Sequence, residues 1–562
     1  MKNTNTCGGL YTKKVLETFK NPHNYGKIKN ADGIGKVGNI VCLLPNQNIH
    51  TNSDIKEING LSDNNRVLSH DGKYNNIVSG VRRNYSGEIL TIKNKLGKLS
   101  LTADHLVLAV KIPKGDKFLR TKNRKNLIFA WYHAKQLKMG DIVLFPILKE
   151  EKDLNYLDIN IPTLKWDFKS KEIPVKVPVS AELLRLFGYF LSEGNIQNKP
   201  SRTYITFTLN IKEKDIVDDI KKISKKLFHL DVVIRERKEV KTVVVYLYSA
   251  KLSRLFINLF GNGARDKKIP DFVMSLPVEK QKSLIYGLWK GDGYVNLTRD
   301  GARAGYVTIS EKIAQQLKIL LLRQKIAPSV YTEKEKVIRG LKHQKNYRIH
   351  VGQRESLINL CSVLGIKYSP KSYPSEKSWF DDNYLYMPIT GIKSEKYKGL
   401  VYNLEVRNSH SYTSEAFCVH NCGDVMWLYI KVGKPASAKA SAGEVIKDIK
   451  FETFGCVAAI STSSIITDLV KGKTIKDALK VTKDNVIESL GGLPKIKYHC
   501  SVLAVDALVE AIYDYYKRNP SAPFNFAQDK DSGQVMADLQ KRHNIIQKSK
   551  NVIEKRYKKW AE

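Results

Sequence analysis

Two groups of residues in this chain pair reactive side chains with suggestive spacing. In AFCVHNCGDVMWLYIKV (416–432), the polar and reactive His420 and Asn421 stand before Cys422, and a strand-like apolar run, Val425 to Val432, comes directly after. The second group is an internal repeat. LFGYFLSEGNI (186–196) and IYGLWKGDGYV (285–295) match Gly188 with Gly287, Glu193 with Asp292 and Gly194 with Gly293, each pair 99 residues apart. Each segment reads as an apolar helix ending in an acid and a glycine, and its small interior residue lets two such helices touch closely. Two carboxylates brought together at paired helix ends repel unless divalent ions sit between them. Hard oxygen ligands of this kind suit magnesium, which activates water and stabilises a leaving oxygen at a phosphodiester.

The surrounding elements show how such residues would be positioned. TKKVLETFKNPHNYGKIKNADGIGKVGNIV (12–41) reads as a helix, a loop punctuated by Pro and Gly, and a hairpin leading into a strand. The character changes at Cys42. From there the chain reads as short alternating strands with Asn, Asp and Gly turns (SHDGKYNN, RNYSGE, NKLGK), an all-β pattern that returns at GLVYNLEVRNSHSYTSEAFCVHN (399–421). Deleting 42–421 would join ADGIGKVGNIV to CGDVMWLYIKV, one hairpin with continuous apolar alternation. The two flanks complete each other.

On these edges the middle of the chain resembles an intein, a self-excising protein element, and the flanks resemble the NifU/IscU family of iron–sulfur cluster scaffolds. The intein resemblance assigns the junction chemistry. Cys42 attacks the Val41 carbonyl and converts an amide into a thioester. Thr102 and His105 in LSLTADHLVLAV match a Thr-x-x-His pattern, His105 donating to the leaving nitrogen and a hydroxyl or backbone donor serving the developing oxyanion. Cys422 receives the upstream chain, Asn421 cyclises and cuts the backbone, and His420 and His410 assist proton transfer. Asn403 stands in VYNLEV where the family commonly has Asp. The exchange removes a charge and a proton acceptor, so slower or differently coordinated splicing is expected. Cys418, a thiol where an aliphatic is usual, is expected to be buried and inert.

The acid–Gly repeat resembles the two-motif LAGLIDADG homing endonucleases, with Glu193 and Asp292 as the metal-binding acids. Lys267 of ARDKKIPDF, rather than Lys268, matches a position that assists the chemistry. Strand-like SRTYITFTLNI, TVVVYLYS, AGYVTIS and YRIHVG are expected to form a saddle for double-stranded DNA.

Excision of 42–421 removes 380 residues, and 562 less 380 leaves 182. In that product the scaffold resemblance assigns Cys422, Asp424, Cys456, His499 and Cys500 as ligands for a transient [2Fe–2S] cluster, iron or zinc. It implies a cysteine desulfurase and iron–sulfur recipient proteins as partners. FGCVAAISTSSIITDLV reads as a cysteine leading into a helix, and CSVLAVDALVEAIYDYYKRN as an amphipathic helix with Cys500 at its start. LPKIK (493–497) departs from the family's Leu-Pro-Pro-x-Lys segment, which puts dependence on a chaperone in doubt.

The reading is thus a multidomain precursor. Its parts are an N-terminal flank (1–41), an all-β splicing (Hint) domain in two pieces (42–160 and 385–421), a nested α/β LAGLIDADG endonuclease pseudo-dimer (161–384), the C-terminal part of a split α+β scaffold (422–520) and a basic, solvated helical tail (521–562). Bulk composition is compatible but not decisive. The net charge of +38 is spread evenly over insertion and flanks, so charge does not say which part meets DNA. No segment has the length and apolarity of a membrane span, a cytoplasmic setting is the default expectation, and the seven cysteines read as thiols or metal ligands. The competing readings are a splicing element with an inactive nuclease, and a non-splicing DNA-binding enzyme fused to a metal-binding module.

Overall fold

The computed structural model describes residues 11–38, 41–52, 55–112, 127–162, 164, 171–199, 202–298, 301–338, 341–370, 377–421, 425–433, 444–454, 456–494, 497–519 and 537–546. The flanks build one sheet. Strand Gly33–Val37, from before the insertion, lies antiparallel to Val425–Gly433, from after it, and Val445–Phe454 completes the three strands. The register runs from Gly33 opposite Ile430 to Val37 opposite Met426. The two strands expected to meet on deletion are therefore already paired while the insertion is in place.

Two glycines explain how this sheet is covered. A Cβ on Gly35 would lie 1.9 Å from the Ala507 carbonyl oxygen, and one on Gly33 would lie 2.2 Å from that of Ala511. Their absence lets helix Tyr498–Arg518 rest its backbone on the strand and fixes where Cys500 begins that helix. Helix Val457–Val470, with Cys456 as its N-cap residue, packs beside it, and Val15, Leu428, Phe451, Ile466 and Ala504 share the buried core. The tail departs from expectation. Residues 537–546 are helical, Leu539 and Ile546 are buried in this same core, and Arg542 donates to the Leu479 carbonyl (2.9 Å). Its apolar residues lie seven apart on one helix face, so this part of the tail is packed rather than solvated.

Within the insertion, the described residues of 42–160 and 377–421 form strands and short 3-10 turns without an α-helix. The long strands Tyr74–Lys93 and Gly391–Val406 pair along almost their whole length. Between these two β-rich stretches sit two copies of one topology. Each runs helix, hairpin, helix, two further sheet strands, helix, and the second copy adds a short hairpin, 336–338 with 341–343, between those two strands. Its four-stranded sheet has the order 194–199, 202–210, 242–247, 233–237 in the first copy and 293–298, 301–308, 346–351, 329–333 in the second. The four strands expected from sequence are present. The edge strands 194–199, 293–298, Val233–Arg237 and Ser329–Glu333 are additions to that expectation; VIRER is exposed at all five positions and lacks the alternation that marks a half-buried strand.

The hydrophobic cores divide the same way. One cluster runs from Leu43 to Val419 and another joins residues 11–37 to 426–546. A third, small cluster of Cys42, Val401 and Val425 lies where insertion and flanks meet. Among the described residues no helix is long and apolar enough to cross a membrane.

Candidate functional site

The upstream junction is held by strand pairing. Leu43 bridges antiparallel to both Leu101 and Tyr402, exchanging backbone bonds of 2.7 and 2.8 Å with Tyr402. This fixes the Val41–Cys42 peptide next to strand Lys98–Thr102. The Cys42 N–H donates to Thr102 Oγ1 (3.0 Å), and the Cys42 carbonyl accepts from the Thr102 N–H (2.9 Å). The Val41 carbonyl oxygen accepts a bond from Asn403 Nδ2 at 2.6 Å. Thr102 thus faces the leaving nitrogen, and the side-chain donor on the carbonyl oxygen is Asn403, which by sequence alone counts as a loss. Cys42 is fully buried, and burial pushes its thiol up to about 12 against a lowering by Arg83. His105 is also fully buried. Burial lowers it to about 4, opposed by the main chain of Cys42 and of His420, which lie near its ring. It is a neutral imidazole at pH 7, and neither ring nitrogen has a well-aligned partner among the described residues.

The downstream junction converges from the other side. Asn421 is 4% exposed, and its N–H donates to the His410 carbonyl (2.8 Å). Its side-chain Nδ2 donates to the Val406 carbonyl (3.2 Å) and lies 3.3 Å from His410 Nδ1. Asn421 Oδ1 is buried without a hydrogen-bond partner among the described residues. His410 has φ +51° and Asn408 φ +66°, left-handed conformations that turn the loop back onto Asn421. The His420 ring is edge-on to Trp131 (5.0 Å between centroids), and burial lowers its pKa to about 4. Cys418 is buried and its thiol is pushed up to about 12, chiefly by burial, so it stays protonated. Cys422 and Asp424 lie outside the described residues, as does the side chain of His499.

The repeat builds a second site. Helices Ala181–Glu193 and Val278–Asp292 cross at their glycines, where a Cβ on Gly188 would lie 2.6 Å from both Leu284 O and Leu288 N, and one on Gly287 would lie 2.4 Å from Arg185 O. Both helices end on their acids. Burial first, then Asp292 and Glu213, raise Glu193 to about 7 against a lowering by Lys267. Burial also raises Asp292, with Lys267 opposing and Glu213 adding. Lys267 Nζ is buried at the end of the first helix and donates to the carbonyls of Phe190 (2.8 Å), Leu191 (3.0 Å) and Gly194 (2.7 Å). Burial lowers it to about 8 while Asp292 and Glu193 pull the other way. Lys268 instead reaches Asp271 at the surface (3.4 Å).

The third site is the pair Cys456 and Cys500, whose Sγ atoms stand 3.7 Å apart as buried thiols. Two sulfurs bound at about 2.3 Å to one tetrahedral ion would stand at roughly this distance. Among the described residues no group of three or more His, Cys, Asp or Glu side chains is arranged to hold a metal.

Comparison with known proteins agrees with this partition. The NifU-like N terminal domain family matches residues 10–43 and 403–522, and the LAGLIDADG-like domain family matches 279–365. The chain contains a split NifU-like domain, with a LAGLIDADG-like domain in the insertion between its parts. Iron-sulfur cluster assembly scaffold protein IscU 1 of Archaeoglobus fulgidus is 57% identical over 98 residues, 17% of this chain and 58% of that protein. An uncharacterised protein of Methanocaldococcus jannaschii is 30% identical over 422 residues, 69% of this chain and 51% of that protein. The ATP-dependent DNA helicase Hel308 of Thermococcus kodakarensis is 26% identical over 418 residues, 68% of this chain and 36% of that protein. The chain spans about half the length of the first curated relatives it matches. A crystal structure of I-DmoI in complex with DNA and Mn is 14% identical, covers 34% of this chain and 99% of that one, and has a TM-score of 0.26.

The NifU-like domain also reaches into the junction through residues that carry no signal in the sequence. Lys497, in its LPKIK segment, is 5% exposed and pairs with Glu405 at 2.9 Å, and Glu405 Oε1 lies 3.3 Å from His410 Nδ1. Burial lowers Lys497, but Cys456, Glu405 and Tyr11 outweigh it and leave its pKa raised. Glu405 stands two residues after Asn403 on one strand, a spacing that puts both on one face; nothing local signals Lys497.

Proposed function

We propose that residues 42–421 excise themselves and join Val41 to Cys422, releasing a 182-residue iron–sulfur scaffold and a 380-residue DNA endonuclease. One observation carries the splicing reading: the strands on either side of the insertion are paired neighbours, and Cys42 and Val425 share one small buried cluster, so host strands flanking both junctions are already side by side. Cys42 Sγ adds to the Val41 carbonyl carbon, the C–N bond breaks, and the nitrogen leaves as an amine with a thioester formed. Cys422 Sγ takes the acyl group from Cys42. Asn421 Nδ2 then closes on its own carbonyl carbon, giving a succinimide and freeing the Cys422 amine, which takes the acyl group from sulfur to restore a peptide bond. The Cys42 main chain lies near the neutral, buried His105 imidazole, which supports a proton carrier at the scissile peptide. The long matches to a helicase and to an uncharacterised protein cover 68% and 69% of this chain, while the cluster-assembly match covers 17%. The 380 residues of the insertion are 68% of the 562. That correspondence supports an element carried by unrelated hosts.

For the endonuclease, Glu193 and Asp292 would hold magnesium, whose contribution when bound is to polarise the phosphate and lower the pKa of water. The residues fit the ion: two acids held together in a buried setting resist ionising until a cation offsets them. The two sheets would lie along double-stranded DNA. In the released scaffold, Cys456 and Cys500 would bind the cluster as cargo together with Cys422, Asp424 and His499, served by a cysteine desulfurase and by recipient proteins.

Intact mass after expression tests the proposal. Products of 380 and 182 residues are expected, with Asn421→Ala and Cys42→Ala each preventing ligation. A reduced, folded chain that stays at 562 residues would refute it.

A further inference from the structure

We propose that Asn403 is a catalytic hydrogen-bond donor that receives the negative charge on the Val41 carbonyl oxygen when Cys42 attacks. The inference rests on the splicing reading above and adds a residue role to it. Asn403 is fully buried, and its Nδ2 reaches the Val41 oxygen at 2.6 Å. Its Oδ1 accepts from the Leu404 N–H (2.7 Å) and from the Tyr412 hydroxyl (2.6 Å). Those two donors fix the amide. Turned over, it would set its NH2 against an N–H and its oxygen against the carbonyl. Tyr412 is itself fully buried and acts as the positioning residue.

That orientation decides the chemistry. As the sulfur–carbon bond forms, the carbonyl π pair moves onto the Val41 oxygen, and Asn403 meets it with an N–H aimed there beforehand, out of water. The thiol proton passes to a base, the Cys42 nitrogen takes a proton as its bond to carbon breaks, and the net change is amide plus thiol to thioester plus amine. An ionised Asp at 403 would present only lone pairs to that oxygen and oppose the charge. Asn403 is therefore suited to this step in a way a carboxylate is not, and the slower reaction expected from sequence is not required.

The test uses the full chain with Cys422→Ala and Asn421→Ala, which stops transfer and downstream cleavage. Thioester formation is read as dithiothreitol-induced release of residues 1–41. Asn403→Ala is expected to slow release roughly 100- to 1,000-fold. Asn403→Asp keeps the shape, and thermal melting checks that it is folded. Its release is expected to be similarly slow at pH 8 and to rise as pH falls and the carboxyl gains a proton to donate, opposite to the parent. Release from Asn403→Ala within threefold of the parent, or Asn403→Asp matching the parent at pH 8, would overturn the role of Asn403 and leave splicing standing. Should Asn403→Ala fail to fold, the pH profile of Asn403→Asp decides. A parent that releases nothing with thiol would remove the splicing reading and this one together.

Discussion

Glu193 shows how one carboxyl can couple metal, pH and stability. Its pKa is raised from the ordinary carboxyl range to about 7, first by burial and then by Asp292 and Glu213. A carboxyl held above its unfolded value is disfavoured as an anion in the fold. The penalty is absent below about pH 4.5 and fully present above about pH 7. Without metal, Glu193→Gln is therefore expected to raise Tm at pH 8 and to leave it nearly unchanged at pH 5. Magnesium bound as proposed above must displace that proton, so affinity for it should weaken about tenfold for each unit below pH 7. Calorimetry in buffers of different ionisation enthalpy would check this by detecting proton release at pH 7; pH-independent binding would exclude Glu193 as a ligand. Such residues are legible in the sequence by type and spacing: a thiol and an amide at the ends of the insertion, and acids in register. The direction of a hydrogen bond is not legible. By type alone Asn403 is a missing charge, and only the bonds from Leu404 and Tyr412 turn it into a donor.

At the scale of elements, periodicity locates the long apolar helices and the alternating strands, because burial on one face imposes those patterns. It misses Val233–Arg237, whose five exposed residues face no core, and the packed tail segment, where Lys541, Arg542 and His543 separate the two apolar contacts that dock it. The glycine contact between the acid-bearing helices is legible for a simple reason: no other residue allows backbones so close. At Gly188 an added Cβ would meet backbone atoms at 2.6–2.7 Å, which cannot rotate away. Gly188→Ala should thus separate the helix ends that hold Glu193 and Asp292, costing roughly 1–3 kcal/mol. Excision should continue in this variant while cleavage of a duplex spanning the empty insertion site is lost, as intact mass and a gel assay would show. Undiminished cleavage would mean that the acids need no such closeness.

Across the whole molecule, the joint between host and insertion is ionic as well as apolar, and no local pattern betrays it because residues 405 and 497 are brought together only by the tertiary fold. Lys497 comes from the NifU-like domain and Glu405 from the insertion, both side chains at most 6% exposed, and Glu405 is also 3.3 Å from the His410 nitrogen that neighbours the Asn421 amide. With Lys497 in place, the carboxylate has a cation of its own. Without it, His410 is the partner left to Glu405, its Nδ1 is drawn to the carboxylate, and it is no longer free to take a proton from Asn421. Removing one member of a buried ion pair also costs about 3–5 kcal/mol. A folded host would thereby supply a group that the final cut requires. In the Cys42→Ala chain, where cleavage after Asn421 proceeds alone, Lys497→Ala is expected to slow release of residues 422–562 at least tenfold. Lys497→Arg should stay near the parent, and Glu405→Gln combined with Lys497→Ala should recover most of the rate, since no buried charge then remains to capture His410. If Lys497→Ala is slow and the double variant equally slow, the lysine acts through packing and the ionic link between host and cleavage is absent.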